Sequence, residues 1–330
     1  MSLVLGIILL LVKLGLVLIG LLVGAGWLTF GERRLLGWIQ IRLGPNRAGP
    51  WGLLQPVADI VKLLTKEDVV PEGADRLIFL YAPAVVAMTA LLIFAVVPFA
   101  RDVTFMGIRI PMVVSDLNVG LLFALALSSL GVYGVALGGW ASNSKFSLLG
   151  GIRAAAQMIS YELSLGLSLV PVVMLAHSFS LVEIVQAQTK YPFILVQPVA
   201  FLIFFISAVA EVKRIPFDLP EAENELVAGY HTEYSGMRFG LYFLGEYVTM
   251  VVLGALVAVF FLGGWRGPLL PPIVWFFVKV TLIVFVFIWL RATLPRLRYD
   301  QLMHLGWKVL VPVALLNIVA TGAVALLLRG

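Results

Sequence analysis

Long apolar runs separated by short polar interruptions organise this chain. Eight of them lie at roughly residues 3 to 30, 77 to 98, 117 to 139, 154 to 176, 193 to 212, 239 to 262, 273 to 290 and 309 to 328. Each is long enough to cross the bilayer's hydrocarbon as a helix, which needs about 20 residues at about 1.5 Å per residue. The pattern predicts an all-α polytopic membrane protein of about eight transmembrane helices. No solenoid-period repeat, low-complexity tract or composition break divides it, so residues 1–330 read as a single integral membrane domain. The first run has one early charge, Lys13, and no small-residue cleavage pattern, and it reads as a retained helix.

One segment follows a different pattern. After the Gly- and Pro-rich turns of GPNRAGPWGLLQP, residues 44 to 56, a helical division of faces places Leu53, Leu54, Val57, Ile60, Val61 and Leu64 on one side. Gln55, Asp59, Lys62 and Lys66 fall on the other. At about 20 Å this helix is too short to span. It is expected to lie flat at the cytoplasmic interface, either as a plain anchor or as a lintel over a lateral opening for a lipid-soluble molecule.

Composition agrees with the membrane reading: 61% of residues are hydrophobic, 12% are charged, and mean hydropathy is +1.04. Cationic residues sort the loops. Sixteen lie at the end that joins spans one to two, three to four, five to six and seven to eight, against five at the other end. By the positive-inside rule the richer end is cytoplasmic and both termini lie on the periplasmic side of a bacterial inner membrane. The net charge of +5 therefore reports topology and does not indicate nucleic-acid binding. Cysteine is absent, which excludes disulfides and thiolate ligation of iron–sulfur clusters or zinc within the chain. His177, His231 and His304 are too scattered to suggest haem or a metal site. Redox electrons, if used, come from elsewhere.

The charged loops carry the candidate chemistry. Six of the eighteen acids, Glu211, Asp218, Glu221, Glu223, Glu225 and Glu233, crowd the segment from 211 to 236. Carboxylates packed beside low dielectric repel one another, so a mere linker has no reason to collect them. Glu162 and Glu246 lie within predicted spans. Acids at such depth are expensive, and function outweighs a structural partnership with Lys13 or Lys279. Together with Glu211 they suggest a row of sites across the bundle. Arg291, Arg296 and Arg298 flank a proline near Asp300, where permanent charge and forked donors suit pairing with the acidic patch. At least one of the three is expected to be topogenic charge only.

Five segments, ERR at 32 to 34, GPNRAGPWGLLQPVAD at 44 to 59, GWASNSKFSLLG at 139 to 150, PFDLPEAENELVAGYHTEYSG at 216 to 236 and PRLRYDQLMHLGWK at 295 to 308, together resemble one family. It is the quinone-site membrane subunit of respiratory complex I, the proton-pumping NADH:quinone oxidoreductase. The resemblance runs in order over essentially the whole chain. It implies that the chain forms the membrane part of the quinone tunnel and couples quinone reduction to proton translocation. Carried over by motif, the tunnel involves Arg33, Arg42, Asp59, Arg291 and Arg296. Proton coupling involves Glu211, Asp218, Glu221, Glu223 and Glu225, leading to Glu162 and Glu246. Lys213 departs from the family's frequent uncharged residue and is expected to dampen the local negative charge.

The resemblance further implies quinone as substrate and no cofactor on this chain, with FMN and iron–sulfur clusters on partner subunits. The partners are peripheral-arm subunits that carry the terminal cluster and quinone-head site, small membrane subunits, antiporter-like subunits and membrane lipids. Two rival readings are an anchor subunit of a membrane-bound, ion-pumping hydrogenase and a standalone secondary transporter.

Overall fold

The computed structural model describes residues 3–105, 108–220 and 223–327. Thirteen helices occur among them, and seven continuous helical stretches are long and apolar enough to cross a membrane. The first is α1, Leu3–Ile39, whose 37 residues extend well past the bilayer's hydrocarbon at the charged-loop end. Glu32, Arg33 and Arg34 therefore belong to the helix and not to the loop after it. The amphipathic α2, Gln55–Thr65, follows. Next come α3, Arg76–Ile93, α4, Gly120–Ala141, and α5, Lys145–Ala176. Asp75 caps α3 by accepting from the backbone N–H of Ile78 at 3.2 Å.

α5 begins nine residues earlier than the apolar run predicts, since its first turns are polar but still helical. Glu162 consequently sits near the middle of its 32 residues. Beyond the short α6, Leu181–Ala187, the fifth predicted span is in two pieces, α7, Phe193–Val196, and α8, Pro198–Glu211. The cause lies in the chain itself. Pro198 has no N–H to continue a helical ladder, and Gln197 leaves helical geometry at φ −128°, ψ 58°. Gln197 turns outward to donate to Thr321 at 2.9 Å and to accept from Asn317 at 3.1 Å, which ties the break to the last helix. Fourteen residues span only about 21 Å, so α8 alone falls short of the bilayer's hydrocarbon.

The remaining elements are α9, Glu223–Leu226, α10, Gly236–Phe261, α11, Pro272–Thr293, α12, Tyr299–His304, and α13, Val311–Leu327. A π-helical turn, Leu305–Leu310, joins α12 to α13 in one continuous rod. On the short-loop side, Val103–Phe105 and Ile108–Ile110 form an antiparallel hairpin with Val103 opposite Ile110, the one small exception to an otherwise all-helical architecture among the described residues.

α10 is the central element, with most of its side chains buried against α3, α11, α1 and α8. Two glycines permit the approaches that position the site. A Cβ on Gly245 of α10 would stand 2.8 Å from Val86 of α3, and one on Gly150 of α5 would stand 2.6 Å from the backbone nitrogen of Tyr230. The first lets α3 and α10 close on a shared cavity, and the second seats the acidic loop directly on α5.

α2 inverts the usual amphipathic arrangement. Its apolar residues Val57, Ile60, Val61 and Leu64 are each about half exposed, while Asp59 turns inward to Arg33 of α1 at 2.7 Å. Gln55 and Asp59 partly buried, with those apolar residues and Lys62 exposed, suit a helix lying at the lipid boundary.

Candidate functional site

Two buried groups of charge meet at the charged-loop end, on either side of one small cavity. The first is built around Arg214, three residues beyond α8. Its Nε donates to Glu246 of α10 and its Nη1 to Glu32 of α1, while Arg291 of α11 donates to the same Glu32 oxygen. Glu32, Arg214 and Glu246 are buried and Arg291 is partly exposed. Arg214 also lies 4.7 Å over the ring of Tyr247. Two carboxylates and two guanidiniums cancel formally, and a low-dielectric site tolerates them only because each charge has a partner. The second oxygen of Glu32 has no hydrogen-bond partner among the described residues.

The second group has no guanidinium. Ser128 and Ser129 are adjacent on α4, about 100° apart around the helix, so they address different neighbours. Ser128 donates to Glu211 at the end of α8 at 3.0 Å, and Ser129 donates to Glu162 of α5. Among the described residues neither acid is in a salt bridge, and one Glu211 oxygen is buried without a partner. Gln157 of α5, fully buried, fixes this corner by donating to the carbonyls of Ala210 and Phe217, each at 2.8 Å.

Between the groups lies a cavity of about 40 Å³ whose polar lining is Thr89, Ser128, Glu211, Lys213, Glu246 and Thr249. It is polar and roomy enough for one or two waters. The three intramembrane acids singled out from sequence are therefore brought together. Glu162 and Glu211 meet through neighbouring serines, and Glu211 and Glu246 share a cavity. Lys13 and Lys279 are not their partners. Lys13 donates to the carbonyls of Pro111 and Val113, and Lys279 to those of Leu262, Gly264 and Arg266.

The loop acids are more dispersed. Asp218 is partly buried beside the end of α8. Glu225 is exposed and pairs with Arg153 of α5 at 2.6 Å; that bond, set against slight burial, holds its carboxyl below the usual range. Glu221 lies outside the described residues, and Glu223 is described only through the backbone of α9. His231 packs against Tyr230 and Phe239, and burial first and the Lys213 charge second push it down to about 4. It is a neutral packing group at ordinary pH.

Of the expected tunnel residues, Arg33 and Asp59 join α1 to α2, and Gln55 also donates to Asp59 at 3.1 Å. Arg291 belongs to the buried quartet. Arg42 is exposed and donates to Gln40 at 2.7 Å, away from the others. Arg296 is partly buried with two nitrogens unpartnered among the described residues, and its charge reaches Glu225. Of the last loop's arginines, Arg296 is the one whose charge acts on a described acid of the patch. Arg298 pairs with Asp300, Arg291 serves Glu32, and Glu225 pairs with Arg153.

Sequence reasoning missed Glu32 and Arg214 as site members, along with Ser128, Ser129 and Gln157. Glu32 ends an apolar run and Arg214 stands three residues from Glu211, so a polar-in-apolar scan finds both, but their mutual contact spans 182 positions.

A second cavity is an apolar groove of about 920 Å³ between α1 and α11, lined by residues such as Leu16, Gly24, Gly31, Leu35, Phe285 and Ile288. Gly31 and Leu35 bracket Glu32, and Ile288 is one turn from Arg291. The groove thus leads along the helices to the buried quartet.

A bundle of helices long and apolar enough to cross a membrane, with buried acids and arginines gathered at one end, defines a multi-pass membrane protein. The model of the NADH dehydrogenase family matches residues 12–322. An H-type NADH-quinone oxidoreductase subunit of Syntrophobacter fumaroxidans is 73% identical over 96% of both chains. Its counterpart in Geobacter sulfurreducens is 67% identical over 94% of both, and the one in Rhodospirillum centenum is 49% identical over 93% of this chain and 91% of its own. The chain belongs to this family.

Proposed function

We propose that the chain is the membrane subunit of a proton-pumping NADH:quinone oxidoreductase that forms the membrane part of the quinone tunnel and couples quinone reduction to proton translocation. It works with peripheral-arm subunits that carry FMN, the terminal iron–sulfur cluster and the quinone-head site, and with small and antiporter-like membrane subunits. Both termini face the periplasm. The observation that carries the coupling role is the continuous set Glu162, Ser129, Ser128, Glu211, cavity and Glu246, which ends on Arg214, Glu32 and Arg291.

Quinone is mostly apolar tail with a polar head, so its path must be apolar along its length and polar at its end. The groove between α1 and α11 supports such a lane, and the Arg33–Asp59 pair supports a polar gate where α2 meets α1. An anionic reduced head about 8 Å from a carboxyl, at an effective dielectric near 20, changes that group by about 2 kcal/mol. Moving one charge across about 150 mV costs about 3.5 kcal/mol. One electrostatic event is therefore too small, and several coupled acids or a moving loop must add to it. The segments 44 to 66 and 214 to 236, rich in Gly, Pro and charge, are the proposed movable parts.

The names of the relatives favour this reading over a hydrogenase anchor. Copurification tests it. Recovery with subunits bearing iron–sulfur clusters and an NADH site supports the assignment, whereas recovery with a nickel–iron hydrogenase overturns it.

A further inference from the structure

Lys213 is a buried cation in an unusual place. Only 5% of its surface is exposed, and its backbone adopts φ 59°, in the left-handed region that side chains other than glycine rarely occupy. Its Nζ donates to the Tyr230 hydroxyl at 3.1 Å and lies 4.7 Å from the centre of that ring. The same side chain lines the small cavity with Glu211 and Glu246. A lysine that served topology alone would reach water along its flexible stem. This one is held inward by a tyrosine from the acidic loop, and Tyr230 in turn is seated on Gly150 of α5.

We infer that Lys213 is a positioning residue for coupling: its ammonium, anchored by Tyr230 in the wall of the cavity that Glu211 also lines, favours the ionised form of Glu211 and links that preference to the placement of the acidic loop. The inference rests on the coupling role proposed above. Among the described residues, the groups facing Glu211 are Ser128 from α4, Glu162 from α5, Glu246 from α10 and Lys213 itself, with Arg214 already engaged by Glu246 and Glu32, and Lys213 in turn faces Tyr230 and the neutral, partly buried His231 of the acidic loop. Glu162 and Glu246 are acids that oppose another negative charge, and Ser128 supplies a hydrogen bond without a charge. Lys213 therefore supplies the cationic charge at the cavity wall that favours a carboxylate there. Because Tyr230 belongs to the turn after α9, a shift of that loop moves the ammonium and changes the charge preference of Glu211 without any change in Glu211's own contacts.

The test uses the assembled enzyme and the pH profile of quinone-linked NADH oxidation. Lys213→Gln is expected to move the limb controlled by the cavity acids upward by about one pH unit, and Lys213→Arg to restore it. Tyr230→Phe, which keeps the lysine but removes the hydroxyl that fixes it, is expected to move the limb in the same direction by less. It is also the variant that decides the matter if Lys213→Gln does not assemble. A wild-type profile in both Lys213→Gln and Tyr230→Phe, with only the rate or yield changed, would overturn the inference. Glu211→Gln separates the two levels. If it abolishes quinone-linked turnover while the Lys213 and Tyr230 variants keep the wild-type profile, the coupling role stands and the part given to Lys213 falls. If Glu211→Gln has no effect, the coupling role itself fails.

Discussion

The two charge groups that flank the small cavity are built on opposite plans. Around Arg214, two carboxylates are locked by two guanidiniums whose charge is permanent. Around Ser128 and Ser129, two carboxyls are held by neutral hydroxyls, which can serve a protonated or an ionised acid. The same residue type, glutamate, thereby has guanidinium partners in one place and hydroxyl partners across the cavity. The difference bears on where the proposed coupling step would occur: on that reading Glu162 and Glu211 are the acids that exchange protons, and Glu246, which shares the cavity with Glu211 and pairs with Arg214, relays their state to the quartet.

The sharpest way to break this comparison is to remove the clamp. Arg214→Gln leaves Glu32 and Glu246 buried with reduced compensation. It is expected to cost about 3–5 kcal/mol, read as a large loss of thermal stability or of assembled enzyme. If the variant is as stable as wild type, the quartet is not the fixed element. Next in size, Glu211→Gln is expected to lower quinone-linked turnover and pumping by on the order of tenfold or more while thermal stability holds, because the amide oxygen still accepts from Ser128. Reduction of artificial acceptors is the control and is expected to be unchanged.

Ser129→Ala removes the donor to Glu162 and is expected to reduce pumping severalfold, with a stability cost of about 1–2 kcal/mol. Asp59→Asn is expected to weaken quinone reduction and the response to tunnel-blocking inhibitors. Its pair with Arg33 is half exposed on the arginine side, so stability should change by no more than about 1 kcal/mol.

An effect confined to acid pH concerns His231, a partly buried group of the acidic loop. Folded, it takes up a proton only near pH 4, whereas the unfolded chain does so near the ordinary histidine value of about 6.5. Between those values the unfolded state binds more protons, so stability rises with pH across that window and is lost as pH falls toward 4. His231→Gln should flatten this slope in a melting-temperature series, and an unchanged slope would place the titrating group elsewhere.

Much of this was legible in the chain because hydrophobic runs report membrane helices directly. Lengths were less so. Glu32 to Ile39 and Lys145 to Arg153 are helical despite their polar residues, because a helix continues past the bilayer wherever nothing stops it. The break at Gln197 has a local sign in Pro198, but its anchoring on α13 does not. Glu162, Glu211 and Glu246 stood out because acids in apolar segments are costly. Their division into clamped and unclamped was not readable, since it depends on Arg214 reaching between α1 and α10 and on two serines that look unremarkable in an apolar run. Individual charges are visible in sequence, whereas pairings across the bundle are set by packing.

The most direct test follows carboxyl protonation in the assembled enzyme by infrared difference spectroscopy as quinone is reduced. A carboxylic acid C=O signal that disappears in Glu211→Gln or Glu162→Gln is the result expected if the unclamped acids exchange protons. A signal that survives in both of those variants and is lost instead in Glu246→Gln would contradict it.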